Sequence, residues 1–175
     1  MDNIKVLFLD RDGTITEESE EGDKIDSPDK IKFLPHVIYS LKNLYKRGFR
    51  FIMVTNQPGL GTVDFPKNEF ERVQQKIIEV LKKNGVIFDL IGVCPHRKDD
   101  GCKCRKPKTG LVDEYIKANK INLDKSYMIG NNLSDMELGK NIGCRLIFIG
   151  ENQYPKAILT TTSWKEILKT ILLDE

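Results

Sequence analysis

Short apolar runs alternate with amphipathic stretches along this chain, and this alternation is the feature that most constrains its fold. Five runs rich in β-branched and aromatic residues predict strands at 5–9, 50–54, 88–94, 126–129 and 145–149. Apolar residues at helical spacing predict helices over 37–47, 67–84, 110–119, 134–141 and 163–172. We expect Ser134 to be the N-cap of the fourth helix. The alternation is typical of an α/β, doubly wound domain, in which helices cover both faces of a mostly parallel sheet.

Composition and charge limit what such a domain could do. With 175 residues, 39% of them hydrophobic, residues 1–175 can bury the core of a single domain. Every apolar run is too short to cross a bilayer, and charges crowd the first ten residues. We therefore expect a cytoplasmic protein without a leader or a membrane partner. The net charge of +2 is too small to favour nucleic-acid binding.

Three polar segments interrupt the alternation, and each begins where a predicted strand ends. They are the acidic segment 17–32, the glycine-containing segment 57–66 and the highly charged segment 95–109. Ligands of open α/β sheets bind at the carboxyl ends of the strands. We therefore expect the functional residues in and around these loops.

The strongest local motif is Asp-Arg-Asp-Gly-Thr, which directly follows the first predicted strand at 10–14. Asp10 and Asp12 are two residues apart at a strand end and can face one point. A bound Mg²⁺ would neutralise these acids and hold a phosphate while one carboxylate attacks phosphorus. Gly13 allows the sharp turn that this arrangement needs.

Three of the four cysteines lie within eleven residues, and a histidine lies among them. Cys94, His96, Cys102 and Cys104 form a closed set of four ligands, the kind that binds structural zinc tetrahedrally. The surrounding loop is too charged to form an apolar core of its own, so a metal would have to order it. The sequence therefore predicts a zinc-binding loop over 94–104, inserted in the α/β fold. We expect Cys144, which precedes an apolar strand, to be a core thiol.

Taken together, these motifs resemble the haloacid dehalogenase superfamily, whose phosphatases begin with Asp-x-Asp-Gly-Thr after the first strand. The resemblance implies that Asp10 is the nucleophile, forms an aspartyl phosphate and binds Mg²⁺ through its side chain. It implies that Asp12 is the general acid/base and binds Mg²⁺ through its backbone carbonyl. The hydroxyl of Thr55 and the amide of Asn56 would bind the phosphoryl group, and Lys106 would offset the accumulated negative charge.

The fourth motif of this superfamily departs from its pattern here. Asn131 stands where an acidic Mg²⁺ ligand is expected, while Asp135 matches the second acid of the motif. An asparagine carbonyl can still ligate Mg²⁺, but the site loses one negative charge. Three interpretations stay open: a natively weak or inactive enzyme, a deliberate substitution, or a phosphatase fold kept as a binding module.

Flanking residues distinguish two phosphatase families that share the zinc loop. Segments 25–35 and 55–66 and the Cys-Pro-His at 94–96 resemble histidinol-phosphate phosphatases more than heptose bisphosphate phosphatases, and the resemblance spans about 4–150. It implies that Glu18 accepts a hydrogen bond from a substrate imidazole, although a solvated acidic loop is an equal alternative. Arg105 is a further candidate for substrate binding, and zinc would position Lys106, which follows it.

The first interpretation is therefore a phosphatase that acts on histidinol phosphate in histidine biosynthesis. The alternative is the same chemistry on a heptose bisphosphate or another sugar phosphate. We expect Mg²⁺ and Zn²⁺ as cofactors, a small phosphorylated metabolite as partner, and a monomer or weak homo-oligomer. A nucleic-acid binder built on the zinc loop is disfavoured, because aromatic residues are not interleaved with its basic residues.

Overall fold

The computed structural model describes residues 3–18 and 25–174, and in these ranges a six-stranded sheet lies between helices. The strands are β1 Lys5–Leu9, β2 Phe49–Asn56, β3 Leu90–Cys94, β4 Tyr127–Gly130, β5 Arg145–Ile149 and β6 Leu159–Thr161. The helices are α1 Val37–Lys46, α2 Lys67–Lys83, α3 Asp113–Ala118, α4 Leu133–Ile142 and α5 Trp164–Leu173. The predicted doubly wound α/β class is confirmed, and each strand pairing in the sheet is parallel. Residues 19–24 of the polar segment 17–32 lie outside the described ranges.

The order of the strands places the site. The sheet runs β3-β2-β1-β4-β5-β6, so the direction of winding reverses between β1 and β4. In the register of these strands, Leu9 at the end of β1 lies beside Met53 of β2 and Ile129 of β4. The loops after β1, β2 and β4 therefore meet at one edge, where a crevice opens in folds of this kind.

Both faces of the sheet are buried, which explains why its strands are continuous apolar runs. Leu7 and Leu9 point to one side and pack with α1, α2 and α5. Val6 and Phe8 point to the other side and pack with α3 and α4. The residues that follow β1 are therefore attached to a strand that is packed on both sides.

The start of α4 differs from the prediction. Asn132, not Ser134, is the N-cap, and the helix begins at Leu133. The backbone N–H of Asn132 donates to Asp135 Oδ2 at 2.9 Å, as in a capping box. The buried Asp135 therefore determines where the helix begins, which leaves Ser134 on the wall of a cavity described below.

Two further differences arise from tertiary contacts. The helix predicted over 110–119 is shorter and covers only Asp113–Ala118. Gly110 N–H donates to Lys103 O at 3.2 Å, which ties the chain before this helix to the loop 94–104. A Cβ at position 110 would overlap that oxygen. The edge strand β6 was not predicted, since three residues are too few to show a periodicity. The remaining predicted elements are confirmed: β1 and β5 have the predicted ends, and the ends of the others differ by at most two residues.

A buried side chain joins α5 to the turn after β1. Trp164 of α5 is buried, and its Nε1–H donates to Thr14 O at 2.8 Å, in the turn after β1.

Cys144 is a core thiol, as predicted, and burial raises its pKa to about 12. None of the helices in the described ranges is long and apolar enough to span a membrane.

Candidate active site

A cavity of about 240 Å³ opens at the carboxyl edge of the sheet. The side chains that line it are mostly polar or charged, and they come from the end of β2, the start of α4 and the loops after β1, β2, β3 and β4. They are Asp10, Asp12, Glu18, Thr55, Asn56, Pro58, Arg105, Lys106, Asn132 and Ser134. The structure therefore brings together the four residues that the sequence predicted as catalytic and the three predicted to bind substrate.

Lys106 occupies the centre of a buried ion-pair network. Its Nζ lies 2.7 Å from Asp10 Oδ1, 2.7 Å from Asp135 Oδ1 and 2.7 Å from Val54 O. The lysine is 4% exposed and Asp135 is fully buried. Although burial lowers the pKa of Lys106, the charges of Asp10 and Asp135 raise it above its ordinary value, so the ammonium is retained.

Asp10 directly follows β1 and is 6% exposed. Burial, followed by the charge of Asp135, raises its pKa to about 7, against the opposing effect of Lys106. Strongly shifted carboxyl groups in clefts are concentrated at functional sites. Two carboxyl groups that share one lysine leave excess negative charge, so a cation would further stabilise the ionised Asp10.

Asp12 is held by neighbours that sequence reasoning did not single out. Arg11 donates from Nε to Oδ1 and from Nη2 to Oδ2, both at 2.9 Å. Gln57 Nε2 donates both to Asp12 Oδ2 at 2.7 Å and to Thr55 Oγ1 at 2.9 Å. These donors suit the ionised form of Asp12, the form that can accept a proton.

Arg11 itself is 2% exposed and anchored on α2. Its Nη1 donates to Gln74 Oε1 at 3.0 Å, and its guanidinium lies 5.1 Å from the centre of the Phe70 ring. An arginine inside a polar motif resembles an ordinary exposed residue, so the sequence contains no signal for this burial. Only the packing of α2 against the turn after β1 reveals it.

Thr55 and Asn56 end β2, and they serve different purposes. Thr55 is 1% exposed and its Oγ1 accepts a hydrogen bond from Gln57, so its own hydroxyl hydrogen can point into the cavity. The Asn56 side chain brackets the backbone of Lys106: Oδ1 accepts from Lys106 N at 3.0 Å, and Nδ2 donates to Lys106 O at 3.4 Å. Asn56 thus joins the end of β2 to the chain just beyond the cysteine cluster.

Asn131 follows β4 and faces the turn after β1. Its Oδ1 is buried and has no hydrogen-bond partner in the described ranges, while its Nδ2 donates to Glu18 Oε2 at 3.0 Å. Gly13, with φ of 72°, lies against this amide, and a Cβ there would overlap it. A buried carbonyl oxygen without a donor is the type of ligand that Mg²⁺ prefers, so the chemistry of this position fits the cation.

The four predicted zinc ligands form one cluster, in which the ligand atoms lie within 4.8 Å of one another. Cys94 Sγ lies 3.8 Å from Cys102 Sγ, 3.2 Å from Cys104 Sγ and 3.7 Å from His96 Nδ1, and His96 Nδ1 lies 3.1 Å from Cys104 Sγ. The ligands of a tetrahedral zinc ion are about 3.5–3.8 Å apart, close to these distances. Burial raises the pKa of the Cys94 thiol to about 12, so its thiolate needs a cation. The cluster can hold a metal ion.

This metal-binding loop, defined as residues 94–104, is held against Arg105, the residue that directly follows it. Arg105 N–H donates to Cys102 Sγ at 3.3 Å, and Arg105 Nη1 donates to His96 O at 3.1 Å. Beyond it, Asn141 of α4 donates to Pro107 O at 2.9 Å. Lys106 is therefore placed by contacts on both sides, from the metal-binding loop and from the catalytic sheet.

A buried lysine that joins two carboxyl groups above a parallel sheet is suited to phosphoryl transfer, and comparison with known proteins agrees: this chain is a phosphatase of the haloacid dehalogenase-like class. It belongs to the family described as polynucleotide kinase 3 phosphatase, which it matches over residues 5–144. The resemblance found in the sequence is thus confirmed.

Individual relatives agree with this assignment. The histidine biosynthesis bifunctional protein HisB of Campylobacter jejuni subsp. jejuni serotype O:2 is 44% identical over 168 residues, which is 96% of this chain and 45% of that protein. The chain spans about half the length of the curated relatives it matches. Among solved structures, a HAD-like phosphatase from Mesorhizobium loti has a TM-score of 0.81 and 26% identity, covering 98% of this chain and 85% of that one.

A second solved structure shares the fold. The D,D-heptose 1,7-bisphosphate phosphatase from B. bronchiseptica, complexed with magnesium and phosphate, has a TM-score of 0.84 and 24% identity. The match covers 98% of this chain and 100% of that chain. At this level of identity the likeness establishes the architecture, while the substrate has to be argued from the site itself.

Proposed function

We propose that this chain is a magnesium-dependent phosphomonoester hydrolase that converts histidinol phosphate to histidinol in histidine biosynthesis, through an aspartyl phosphate. The observation that carries the proposal is the contact of 2.7 Å between Asp10 and the buried Lys106 at the base of a polar cavity. The 44% identity to a protein named for histidine biosynthesis supports the pathway.

The magnesium ligands in this proposal are oxygen atoms from two loops: the side chain of Asp10, the backbone carbonyl of Asp12 and Oδ1 of Asn131. The buried, unpartnered state of Asn131 Oδ1 supports the third ligand. When bound, the cation supplies positive charge to the phosphoryl oxygens. Asn131 adds no charge of its own, so we expect weaker binding of Mg²⁺ than with an acid at this position.

In the first step, a carboxylate oxygen of Asp10 attacks phosphorus, and the bond from phosphorus to the substrate oxygen breaks. Lys106 holds Asp10 Oδ1, which leaves Oδ2 for the attack. Asp12 gives a proton to the leaving alkoxide, and for this it must carry that proton and turn from Arg11 towards the cavity. The Thr55 hydroxyl and the backbone N–H of Asn56 bind the phosphoryl oxygens, whose charge Lys106 offsets.

In the second step, water attacks the phosphorus of the aspartyl phosphate. Asp12, now ionised, removes the proton from this water. The bond between phosphorus and Asp10 breaks, and inorganic phosphate leaves. Each carboxyl group then has its initial protonation state.

In this proposal, the residues at the rim of the cavity select the substrate. Glu18 is exposed there and can accept a hydrogen bond from an imidazole, while Arg105 contributes positive charge beside the phosphate site. A heptose bisphosphate has hydroxyl groups instead of an imidazole and would not use the Glu18 carboxylate in the same way. The fold shared with a heptose bisphosphate phosphatase makes this substrate the second candidate.

A panel of substrates tests this assignment. We expect phosphate release from histidinol phosphate at a kcat/KM at least about tenfold above that for heptose 1,7-bisphosphate, phenyl phosphate and a 3′-phosphorylated oligonucleotide, because the other three lack an imidazole for Glu18. The Glu18→Gln variant should lose most of this preference, while Glu17→Gln should keep it. Equal, slow hydrolysis of all four compounds would remove the support for histidine biosynthesis.

Zinc in the metal-binding loop makes a separate prediction. Protein purified without added zinc should contain about one equivalent, as a closed four-ligand site implies. Cys102→Ser should lower zinc retention and reduce turnover about 10- to 100-fold, because loosening the loop displaces Lys106. Cys144→Ala, outside the cluster, should keep the zinc. Metal analysis with circular dichroism checks both, and zinc-free wild-type protein with reduced cysteines would contradict the assignment.

A further inference from the structure

Asn131 contacts two parts of the site at once. Its Nδ2 donates to Glu18 Oε2 at 3.0 Å, while its buried Oδ1 has no partner in the described ranges. The opposite orientation of the amide would place oxygen against the Glu18 carboxylate and repel it. The contact with Glu18 therefore determines which atom of Asn131 is left for a cation.

The turn after β1 makes this contact possible. Gly13 has a positive φ of 72° and no side chain, so the Asn131 amide lies directly against its backbone. Asn131 is half-buried there, between the residues that follow Asp12 and the N-terminal end of α4. The amide is thus confined by packing, and its donor points to Glu18.

An acid at position 131 could not make the same contact. An aspartate has the size of asparagine but only accepts hydrogen bonds when ionised. Placed 3.0 Å from Glu18 Oε2, it would bring two carboxylates together, and like charges at that distance repel strongly. The present position of Glu18 therefore requires a donor at residue 131.

We propose that Asn131 is a positioning residue: its amide orients the Glu18 carboxylate at the cavity rim to receive the substrate imidazole, while its Oδ1 stays available to the cation. The inference rests on the proposed function for the identity of the substrate. It accounts for the uncharged residue as a compromise, in which the chain gives up some affinity for Mg²⁺ and gains a defined position of Glu18.

A double-mutant cycle on metal-free protein tests this role without turnover. Binding of histidinol in the presence of a chelator is measured by calorimetry for the wild type, Asn131→Asp, Glu18→Gln and the double variant. We expect Asn131→Asp and Glu18→Gln each to weaken binding about tenfold, since a hydrogen bond to a charged group is lost. The double variant should bind no more weakly than either single one, because Asn131 acts through Glu18. Glu17→Gln, an exposed neighbour, should bind as the wild type does.

Kinetics and NMR give independent readouts. Asn131→Asp should lower the Mg²⁺ concentration for half-maximal activity while it lowers the preference for histidinol phosphate over phenyl phosphate. The side-chain amide resonances of Asn131 should shift in Glu18→Ala and not in Glu17→Ala. If the proposed function is wrong, Glu18→Gln should have no effect on histidinol binding. In that case the amide resonances of Asn131 alone test whether Asn131 positions Glu18. Unshifted resonances in Glu18→Ala, or additive losses in the cycle, would overturn it.

Discussion

Asp10→Asn is expected to reduce phosphate release roughly 10⁴-fold or more while the fold persists, because it removes the attacking carboxylate and keeps its shape. Single-turnover assays with histidinol phosphate should detect no phosphoenzyme. Asp124→Asn, an exposed acid remote from the cavity, serves as the matched control and should keep full activity. Release of phosphate by Asp10→Asn at the wild-type rate would assign the nucleophile to another residue.

The same variant should change stability in a pH-dependent way. The pKa of Asp10 is raised from 3.8 to about 7, mainly by burial, so the folded protein holds this proton more tightly than the unfolded chain does. The stability of metal-free wild type should therefore fall as the pH rises from about 4 to about 7. Asp10→Asn removes this loss and should raise the Tm at pH 7 more than at pH 4. Thermal unfolding in chelator, at matched ionic strength, measures the difference.

Lys106→Met should have the second large effect, on both turnover and stability. The substitution keeps the apolar stem but leaves Asp10 and Asp135 buried without their common partner. Removing one member of a buried ion pair costs about 3–5 kcal/mol, and here the loss should grow with pH as Asp10 ionises. Urea unfolding at pH 5 and pH 8 checks the magnitude and its direction, and exposed Lys117→Met is the control.

A double variant separates stability from catalysis at this lysine. The double variant Lys106→Met with Asp135→Asn also removes one of the two carboxyl groups that Lys106→Met leaves without a partner. Its free energy of unfolding should therefore be higher than that of Lys106→Met alone. Turnover should stay as low as in Lys106→Met, because the phosphoryl group still lacks its positive partner. A Lys106→Met protein as stable as the wild type would show that the buried network contributes little to the fold. Recovered turnover in the double variant would contradict the catalytic role of Lys106.

These predictions use residues that the sequence indicated to different degrees. Asp10 and Asp12 could be found because both belong to a five-residue motif that directly follows an apolar strand. The metal-binding loop could be found because three cysteines and a histidine lie within eleven residues. In both cases the chemistry is concentrated in a short stretch of chain, so spacing alone brings the side chains together.

Other parts of the site depend on contacts between residues that are far apart in the chain. Arg11 donates a hydrogen bond to Gln74, which is 63 residues away in the chain. Gln57 donates one to Asp12, which is 45 residues away. Asn56 bonds the backbone of Lys106 across 50 residues. A sequence pattern cannot reveal such pairs, because a motif identifies a residue by its own neighbours in the chain and does not show which distant residue it contacts.

Asn131 shows where the two sources of information meet. The sequence by itself determined the parallel α/β fold, through buried strands and amphipathic helices, and it identified position 131 by its place after the fourth predicted strand. It suggested there a lost charge and a carbonyl that could still ligate Mg²⁺. The tertiary structure decided that the amide reaches Glu18, 113 residues away, across a glycine without a side chain. Hydrophobic periodicity is local and can be recognised along the chain, whereas a hydrogen bond between two loops exists only once the sheet has placed them at one edge.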